Sequence, residues 1–398
     1  MKILVVCQYY YPEPFRLPDI CEALAQQGHS VTVVTGTPNY PEGEIYPGYE
    51  KGARADEVIR GVRVHRCPQI PRKKGPVFRF LNYYSYALSS WWYLLRCREE
   101  FDAVFVNQLS PVMMAYGGLS WAKRRGRSCV LYCLDLWPES LLLGGIRKDS
   151  PVYKLFWHIS RRIYRRADRL LVSSKAFIDY FEQTLDIRDK EITWLPQYAE
   201  GIFGDLPAVQ REDDCMNVVF AGNVGNLQSV ETVVEAARLL RPEDKIHIHI
   251  VGGGISLDKC RDLAKGLEII TFHGRHDVSE MPRFYAMADA MLITLVKDPG
   301  LSANLPGKVQ SYMAAGKPVI GAIDGETARI VREAQCGMCS PAEDPGALAQ
   351  VMRDLAADPD KIRTYGENAR RYYDTYFRKE SFLSGLVSVL EEEAKKRR

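Results

Sequence analysis

Two hydrophobic periods alternate along this chain. Short apolar runs at 2–7, Ser30–Thr35, Ala103–Val106 and Cys129–Leu134 read as strands buried on both faces. Between the first two, Leu17, Ile20, Cys21 and Leu24 share one helical face, and Gly28 closes the helix. That is a βαβ unit. Val62–Arg66, Asp168–Val172 and Ile192–Leu195 extend the series. Residues 197–214, QYAEGIFGDLPAVQREDD, are polar and turn-rich, and they read as a linker. A second series follows, with strands at Val218–Ala221, Ile246–Val251, Leu267–Phe272, Ala290–Leu295, Pro318–Ala322 and Gly337–Ser340. Segments Asp344–Ala357 and 360–398 read as helices. Alternation on both sides of one linker predicts an α/β chain of two Rossmann-like domains facing each other.

The stretch LSANLPGKVQSYMAAGKPVI, 301–320, departs from a plain amphipathic pattern. Pro306 suits the first helical position, and Val309, Tyr312 and Met313 form a core face. Lys308 then puts a cation in the first turn, against the helix dipole. A phosphate bound at that end would reverse the sign of the effect, whereas a solvated lysine is the plain alternative. Gly222-Asn223-Val224-Gly225 and Val251-Gly252-Gly253-Gly254 each follow a strand, where glycines let backbone N–H groups approach an anion. In a parallel sheet all three features lie on one edge, and together they predict a bound diphosphate. No Walker lysine motif is present.

The first series lacks G-x-G-x-x-G. Its opening loop offers Glu13, Arg16 and tyrosines instead, which suits a polar substrate. The loop 36–52, which holds Asn39 and Tyr40, is dense in Gly, Pro and Tyr. Asp135 ends a parallel strand, where open α/β sheets place binding groups.

Residues 70–97 carry apolar residues all round. Val77, Phe80, Leu81, Tyr84, Leu88, Trp91 and Leu95 read as the core face, with Phe78, Tyr83, Tyr86 and Tyr93 on the outer side. With Arg72, Lys73 and Lys74 just before, the outer tyrosines fit a membrane interface, and a helix buried on both sides is the alternative. A helix over 152–166 buries Val152, Leu155, Phe156, Ile159 and Ile163, and exposes four arginines.

The chain has 398 residues, 46% hydrophobic and 26% charged, so two full cores are affordable. A net charge of +3 gives no argument for a nucleic-acid partner. Ten cysteines follow no framework, and the single C-x-x-C at Cys336 and Cys339 lacks a second pair for zinc. Reduced thiols of a cytosolic enzyme are the simpler expectation. The first residues read as a strand rather than a signal peptide, and no apolar run of about 18 residues predicts a membrane span.

The motifs DLWPES, YRRADRLLVSS, AGNVGN, IVGGG, MADAMLITL and GKVQSYMAAGKPVIGAIDGE, with the opening 9–52, resemble retaining glycosyltransferases of the GT-B fold. Within them the likeness is to the N-acetyl-L-fucosamine transferase subgroup of O-antigen and capsule assembly. The resemblance implies two domains facing across a cleft: 1–198 for the acceptor, 199–375 for the nucleotide sugar, and a terminal helix 376–398 packing back on the first. It implies transfer from a nucleoside diphosphate donor, UDP-linked in this subgroup, to a polyprenyl-diphosphate-linked glycan at the inner face of the cell membrane, without cofactor or metal. Lys308 would stabilise the leaving diphosphate, with Gly222, Asn223, Gly225, Asn226, Gly252, Gly253, Ser302, Asn304 and Ser311 around the donor. Glu13, Arg16, Asn39 and Tyr40 would meet the acceptor, and Arg72, Lys73, Lys74, Tyr83 and Tyr86 the membrane. Asp135 would orient the acceptor hydroxyl or the sugar, or cap the adjacent turn. Two family glutamates are replaced by Ala303 and Ser311, the loop cations by Asn223 and Asn226, and a histidine by Leu134. A GT-B sugar-nucleotide epimerase and a non-catalytic binding subunit are the competing expectations.

Overall fold

A computed structural model describes residues 1–209 and 214–396. Residues 210–213 of the expected linker, and 397–398 of the expected terminal helix, lie outside the described residues. The chain forms two compact units, Met1–Leu195 joined by the chain from Leu383 onward, and Pro196–Phe382.

The first unit is built on an eight-stranded sheet. Its strands are β1 (Lys2–Val6), β2 (Ser30–Gly36), β3 (Asp56–Ile59), β4 (Val62–Cys67), β5 (Ala103–Gln108), β6 (Ser128–Cys133), β7 (Arg169–Val172) and β8 (Ile192–Trp194). They lie in the order β3-β4-β2-β1-β5-β6-β7-β8. The pairs are parallel except β3 on β4. β3 was not expected from the sequence. It is a short antiparallel edge that alternates exposed and half-buried residues, so no apolar run marks it. The inner strands β5 and β6 are buried throughout. The order reverses direction between β1 and β5, which makes the C-terminal ends of these strands the switch point of the sheet.

One helix of this unit turns the other way from the sequence reading, and another does so in part. Helix α1 spans Leu17–Gln26 and α2 spans Pro76–Arg96. The α2 face read as core is the outer one, with Val77, Phe80 and Leu88 respectively 67%, 52% and 62% exposed. The buried residues are Asn82, Tyr86, Ala87, Ser90 and Leu94. Tyr86 is therefore no membrane contact. Its hydroxyl donates to the carbonyls of Cys7 (2.6 Å) and Val34 (3.0 Å), and so ties the helix to the ends of β1 and β2. Gln8 donates to the Asn82 side-chain carbonyl at 2.9 Å, and Asn82 donates to Ile70 at 2.7 Å. The small Ser90 lets α2 close on Gly117 of α3 (Tyr116–Arg125), where an added methyl would sit 3.2–3.3 Å from α2 atoms. Buried polar partners and close packing thus outrank apolar area in choosing the inner face. Helix α4 (Pro151–Tyr164) keeps the expected burial of Ile163 and exposure of Arg162, Arg165 and Arg166, but its first turns differ. It buries Tyr153, Ser160, Ile163 and Tyr164, and leaves Val152 and Leu155 exposed.

The terminal helix expected over 360–398 breaks at the fully buried Phe377 into Pro359–Tyr376 and Lys379–Lys396. In its second part, the Glu393 carbonyl accepts from Ser128 Oγ at 2.8 Å, and Arg169 pairs with Glu392 at 3.3 Å and with Glu191.

The second unit has six parallel strands: β9 (Met216–Ala221), β10 (Ile246–Val251), β11 (Ile270–Gly274), β12 (Ala290–Thr294), β13 (Val319–Ala322) and β14 (Gly337–Ser340). Their order is β11-β10-β9-β12-β13-β14. Ile246, Ile248 and Ile250 join a core with Val230, Val233 and Val234 of α5 (Val230–Ala237) and with Leu348 and Met352. Here the switch point falls between β9 and β12.

Candidate anion site and polar loop cluster

In the second unit the loops after β9, β10 and β12 meet at the switch point. The Gly222 N–H donates to Val251, Val224 to Gly253, and Gly252 to Gly274, so two glycine loops lie against each other. Gly252 has φ +149° and Gly254 φ +157°, and a methyl at either would overlap the carbonyl of Gly222 or Val224. Side chains brace the first loop. Asn223 donates to Gln228 at 3.1 Å, Ser256 donates to Asn226 at 2.9 Å, and a methyl at Gly225 would press on Asn223 and Gln228. Asn223 and Asn226 thus shape the loop itself.

Helix α6 (Gly307–Ala314) brings in the cation. Pro306 is its cap residue rather than its first helical residue, with ψ at 136°. Tyr312, fully buried, donates to the carbonyls of Ala221 and Leu292, both at 3.3 Å, and so pins α6 to the ends of β9 and β12. One turn earlier, Lys308 lies over this strand end. Its Nζ is 4.1 Å from the Phe220 ring centre, and a methyl on Gly222 (φ +141°) would overlap its Cε and Nζ. Burial pulls the ammonium down to about 8, and no neighbouring charge among the described residues offsets that. At the far end of α6, Arg370 donates to Ala314 at 2.9 Å, a placement that suits the dipole. Lys308 has the opposite placement, a half-buried cation at the helix end that favours an anion.

The other expected donor residues serve local structure. Ser302 donates to Pro299 (3.0 Å), Asn304 to Gly300 (3.1 Å) and Ser311 to Gly307 (3.3 Å). Ser311 is buried within the helix. Sequence reasoning passed over Arg275, which is exposed after β11 with its Cβ 3.6 Å from a methyl placed on Gly253. The strand-end position of GRHD was the available signal.

In the first unit the loops after β1, β2, β5 and β6 gather at the switch point. Glu13 is buried and accepts three backbone N–H groups, from Tyr10 (3.1 Å), Asn39 (2.9 Å) and Tyr40 (2.8 Å). Burial nonetheless raises its carboxyl to about 7. Asn39, also buried, donates to Thr37 and accepts from the Arg72 N–H at 2.8 Å. These two residues, expected to meet an acceptor, join the loops to each other. Tyr40 is half-buried and packs on Tyr9 and Phe15. Arg16 is half-buried near Tyr132.

Arg72 was expected at a membrane, but its guanidinium turns inward. It lies 5.5 Å from the Tyr40 ring and 5.7 Å from Tyr83, and it lowers the carboxyl of Asp135 against the larger effect of burial. Lys73 and Lys74 are exposed. Asp135 accepts the Ser110 N–H at 3.0 Å, which joins the β6 loop to the β5 loop. Arg72, Tyr40, Tyr83 and Asp135 thus form one polar cluster that the sequence had divided among three roles. Among the described residues no group of three metal-ligating side chains converges, and no helix is long and apolar enough to cross a membrane.

The chain resembles known proteins over both units. Residues 16–197 match the glycosyl transferase 4-like domain, and residues 216–358 match the glycosyl transferases group 1 domain. The putative colanic acid biosynthesis glycosyl transferase WcaI of Escherichia coli (strain K12) is 26% identical over 336 residues, 79% of this chain and 82% of that protein. A GDP-mannose-dependent alpha-mannosyltransferase of Mycolicibacterium smegmatis is 24% identical over 400 residues, 93% of this chain and 92% of that protein. Among solved structures, HepE of Anabaena in complex with UDP superposes with a TM-score of 0.70 at 16% identity, over 98% of this chain and 100% of that one. Sucrose-phosphate synthase from Thermosynechococcus elongatus gives 0.73 at 17% identity, over 98% of each chain. The architecture is accordingly GT-B.

Proposed function

Starting from a chain that belongs to the group 1 glycosyltransferases, we propose that it moves a sugar from a UDP-linked donor to a lipid-diphosphate-linked glycan, with retention, in surface polysaccharide assembly. The observation that carries the donor half is the Lys308 ammonium. It lies on Gly222 without a charged partner among the described residues. A diphosphate there would gain a cation, the α6 N-terminus and the glycine loops at once.

In the reaction the bond between the anomeric carbon and the diphosphate oxygen breaks, and its electron pair leaves with the diphosphate. The acceptor oxygen forms the new bond on the same face, and its proton passes to the departing phosphate. Lys308 offsets the charge that grows on the leaving group. The nucleotide sugar is a co-substrate, and no cofactor or metal takes part in this reading. Asp135 and Arg72 would orient the acceptor, because both are polar groups at the first unit's switch point. An N-acetylated deoxyhexosamine such as N-acetylfucosamine is the sugar we favour, on the motifs of the opening loop and DLWPES. UDP rather than GDP is favoured on the same motifs, and the solved relative HepE binds UDP.

The exposed apolar side of α2, beside Lys73 and Lys74, supports a peripheral position on the inner face of the cell membrane. Purified protein offered UDP-, GDP- and dTDP-sugars with a lipid-diphosphate sugar acceptor should form a product one sugar heavier by mass, from a UDP donor. Donor isomerisation without acceptor would overturn transfer in favour of an epimerase, and binding without turnover in favour of a non-catalytic subunit.

A further inference from the structure

The outer side of α2 is more than an apolar stripe. Beside its C-terminal half, α2 and the end of β4 line a pocket of about 310 Å³. Cys67 and Pro68 form one wall, and Trp92, Tyr93 and Cys97 the other. Apart from Arg96 at the rim, the polar groups that line it are Ser89, His65 and the Cys67 thiol. His65 stacks flat on Tyr93 at 3.6 Å, and its Nδ1 is held 2.6 Å from Asp56. Cys67 is buried, and its thiol is pushed up to about 12. The lining is therefore apolar, and the volume lies at the low end for small-molecule sites (about 300–1,000 Å³), room for one slender chain.

The rim carries chemistry of a second kind. Trp92 is 54% exposed, and the Arg96 guanidinium lies 3.4 Å from its ring centre. Arg96 is exposed and makes no ion pair among the described residues. Leu88 and Leu95, 62% and 42% exposed, continue the apolar surface on either side. An apolar slot, a fixed cation at its mouth and an apolar approach match an amphiphile with an anionic head.

We propose that this pocket binds the hydrocarbon chain of a phosphate-bearing lipid, with Arg96 meeting the phosphate. The inference rests on the membrane reading of α2 only for the source of the ligand, which is either a polyprenyl phosphate or a bilayer phospholipid. The site lies on the β4 side of α2, whereas the Arg72–Asp135 cluster lies at the strand ends.

The test is titration calorimetry of the full chain, without vesicles, against monomeric farnesyl phosphate and dihexanoyl phosphatidic acid, with farnesol and inorganic phosphate as controls. Lys308→Ala protein is used in parallel to remove any binding at the donor site. Saturable 1:1 binding of the phosphate amphiphiles is expected. Arg96→Ala should weaken it about fivefold to tenfold, to the level of farnesol. Ser89→Trp, which fills the pocket, should abolish it, with the far- and near-UV circular dichroism of the native protein retained. Tighter farnesyl phosphate would assign the isoprenoid source, and tighter phosphatidic acid the bilayer. Absence of saturable binding, or binding equal in wild type, Arg96→Ala and Ser89→Trp, overturns the proposal. Flotation with anionic vesicles is measured separately. Its loss on Leu88→Glu tests the membrane reading, and Ser89→Trp should leave it intact.

Discussion

Lys308 shows how one side chain takes its meaning from distant neighbours. In sequence it is a lysine in a first helical turn. In the fold, Phe220 and Gly222, more than 80 residues away in the chain, pack against its ammonium and half-bury it. The cost of an ammonium in such a place favours its neutral form, and its proton is held only to about pH 8. A bound diphosphate would raise that value again, so donor binding between pH 8 and 10 should take up a proton. Calorimetry of UDP in two buffers of different ionisation enthalpy should therefore show uptake above pH 8 and falling affinity as pH rises. Lys308→Ala should lose about tenfold to a hundredfold in UDP affinity at pH 7 and show no uptake. The role we propose for Lys308 could be argued from the sequence because a cation there opposes the dipole. The roles of Glu13 and Asn39 were not, because nothing local says that their polar atoms will face backbone N–H groups of another loop.

At the scale of the element, α2 gives the sharper lesson. Its sequence is apolar at nearly every phase, so the period identifies a helix and leaves its rotation undetermined. The rotation is set by where Asn82 and Tyr86 find acceptors and where Ser90 admits α3, all of which depend on the ends of other elements. The prediction that follows separates the two faces. Tyr86→Phe takes the hydroxyl donor from the Cys7 carbonyl, while Val34 keeps the Cys7 N–H, and should lower the urea unfolding free energy by about 1–3 kcal/mol. Leu88→Glu, on the outer face, should shift it by no more than about 0.5 kcal/mol. The reverse ranking would restore the original orientation. The strands were easier to read, because inner parallel strands are apolar throughout and need no choice of face. Only β3, an exposed edge, escaped notice.

At the scale of the molecule, Glu13 and His273 pull the two units in opposite directions as pH changes. Glu13, in the first unit, holds its proton up to about 7 when folded and to its ordinary value near 4 when unfolded. The folded state binds more protons across that window, so this unit loses stability as pH rises through it. His273, in the second unit, is shifted down by burial, with His276, Arg283 and His247 adding to the effect. It also shares a hydrogen bond of 3.0 Å with His249. Here the unfolded state binds more protons, so stability falls as pH drops below the ordinary histidine value of about 6.5. Urea titrations followed by limited proteolysis should find the second unit weaker at pH 5.5 than at pH 7 and the first unit weaker at pH 8 than at pH 6. Glu13→Gln should remove the second trend. Strand alternation made both units legible in the sequence. Their strand orders were not, because pairing between β1 and β5, or β9 and β12, joins segments far apart in the chain.

The first unit is also discontinuous. The N-terminal ends of β6 and β7 are met by Glu392 and Glu393, and Ser128 waits 265 residues for its acceptor. During synthesis from the N-terminus, this half is the first to emerge and the last to be complete. Until the final helix leaves the ribosome, Arg169 is without its Glu392 partner, and the nascent first unit presents an open flank to chaperones and proteases while the second unit is already whole.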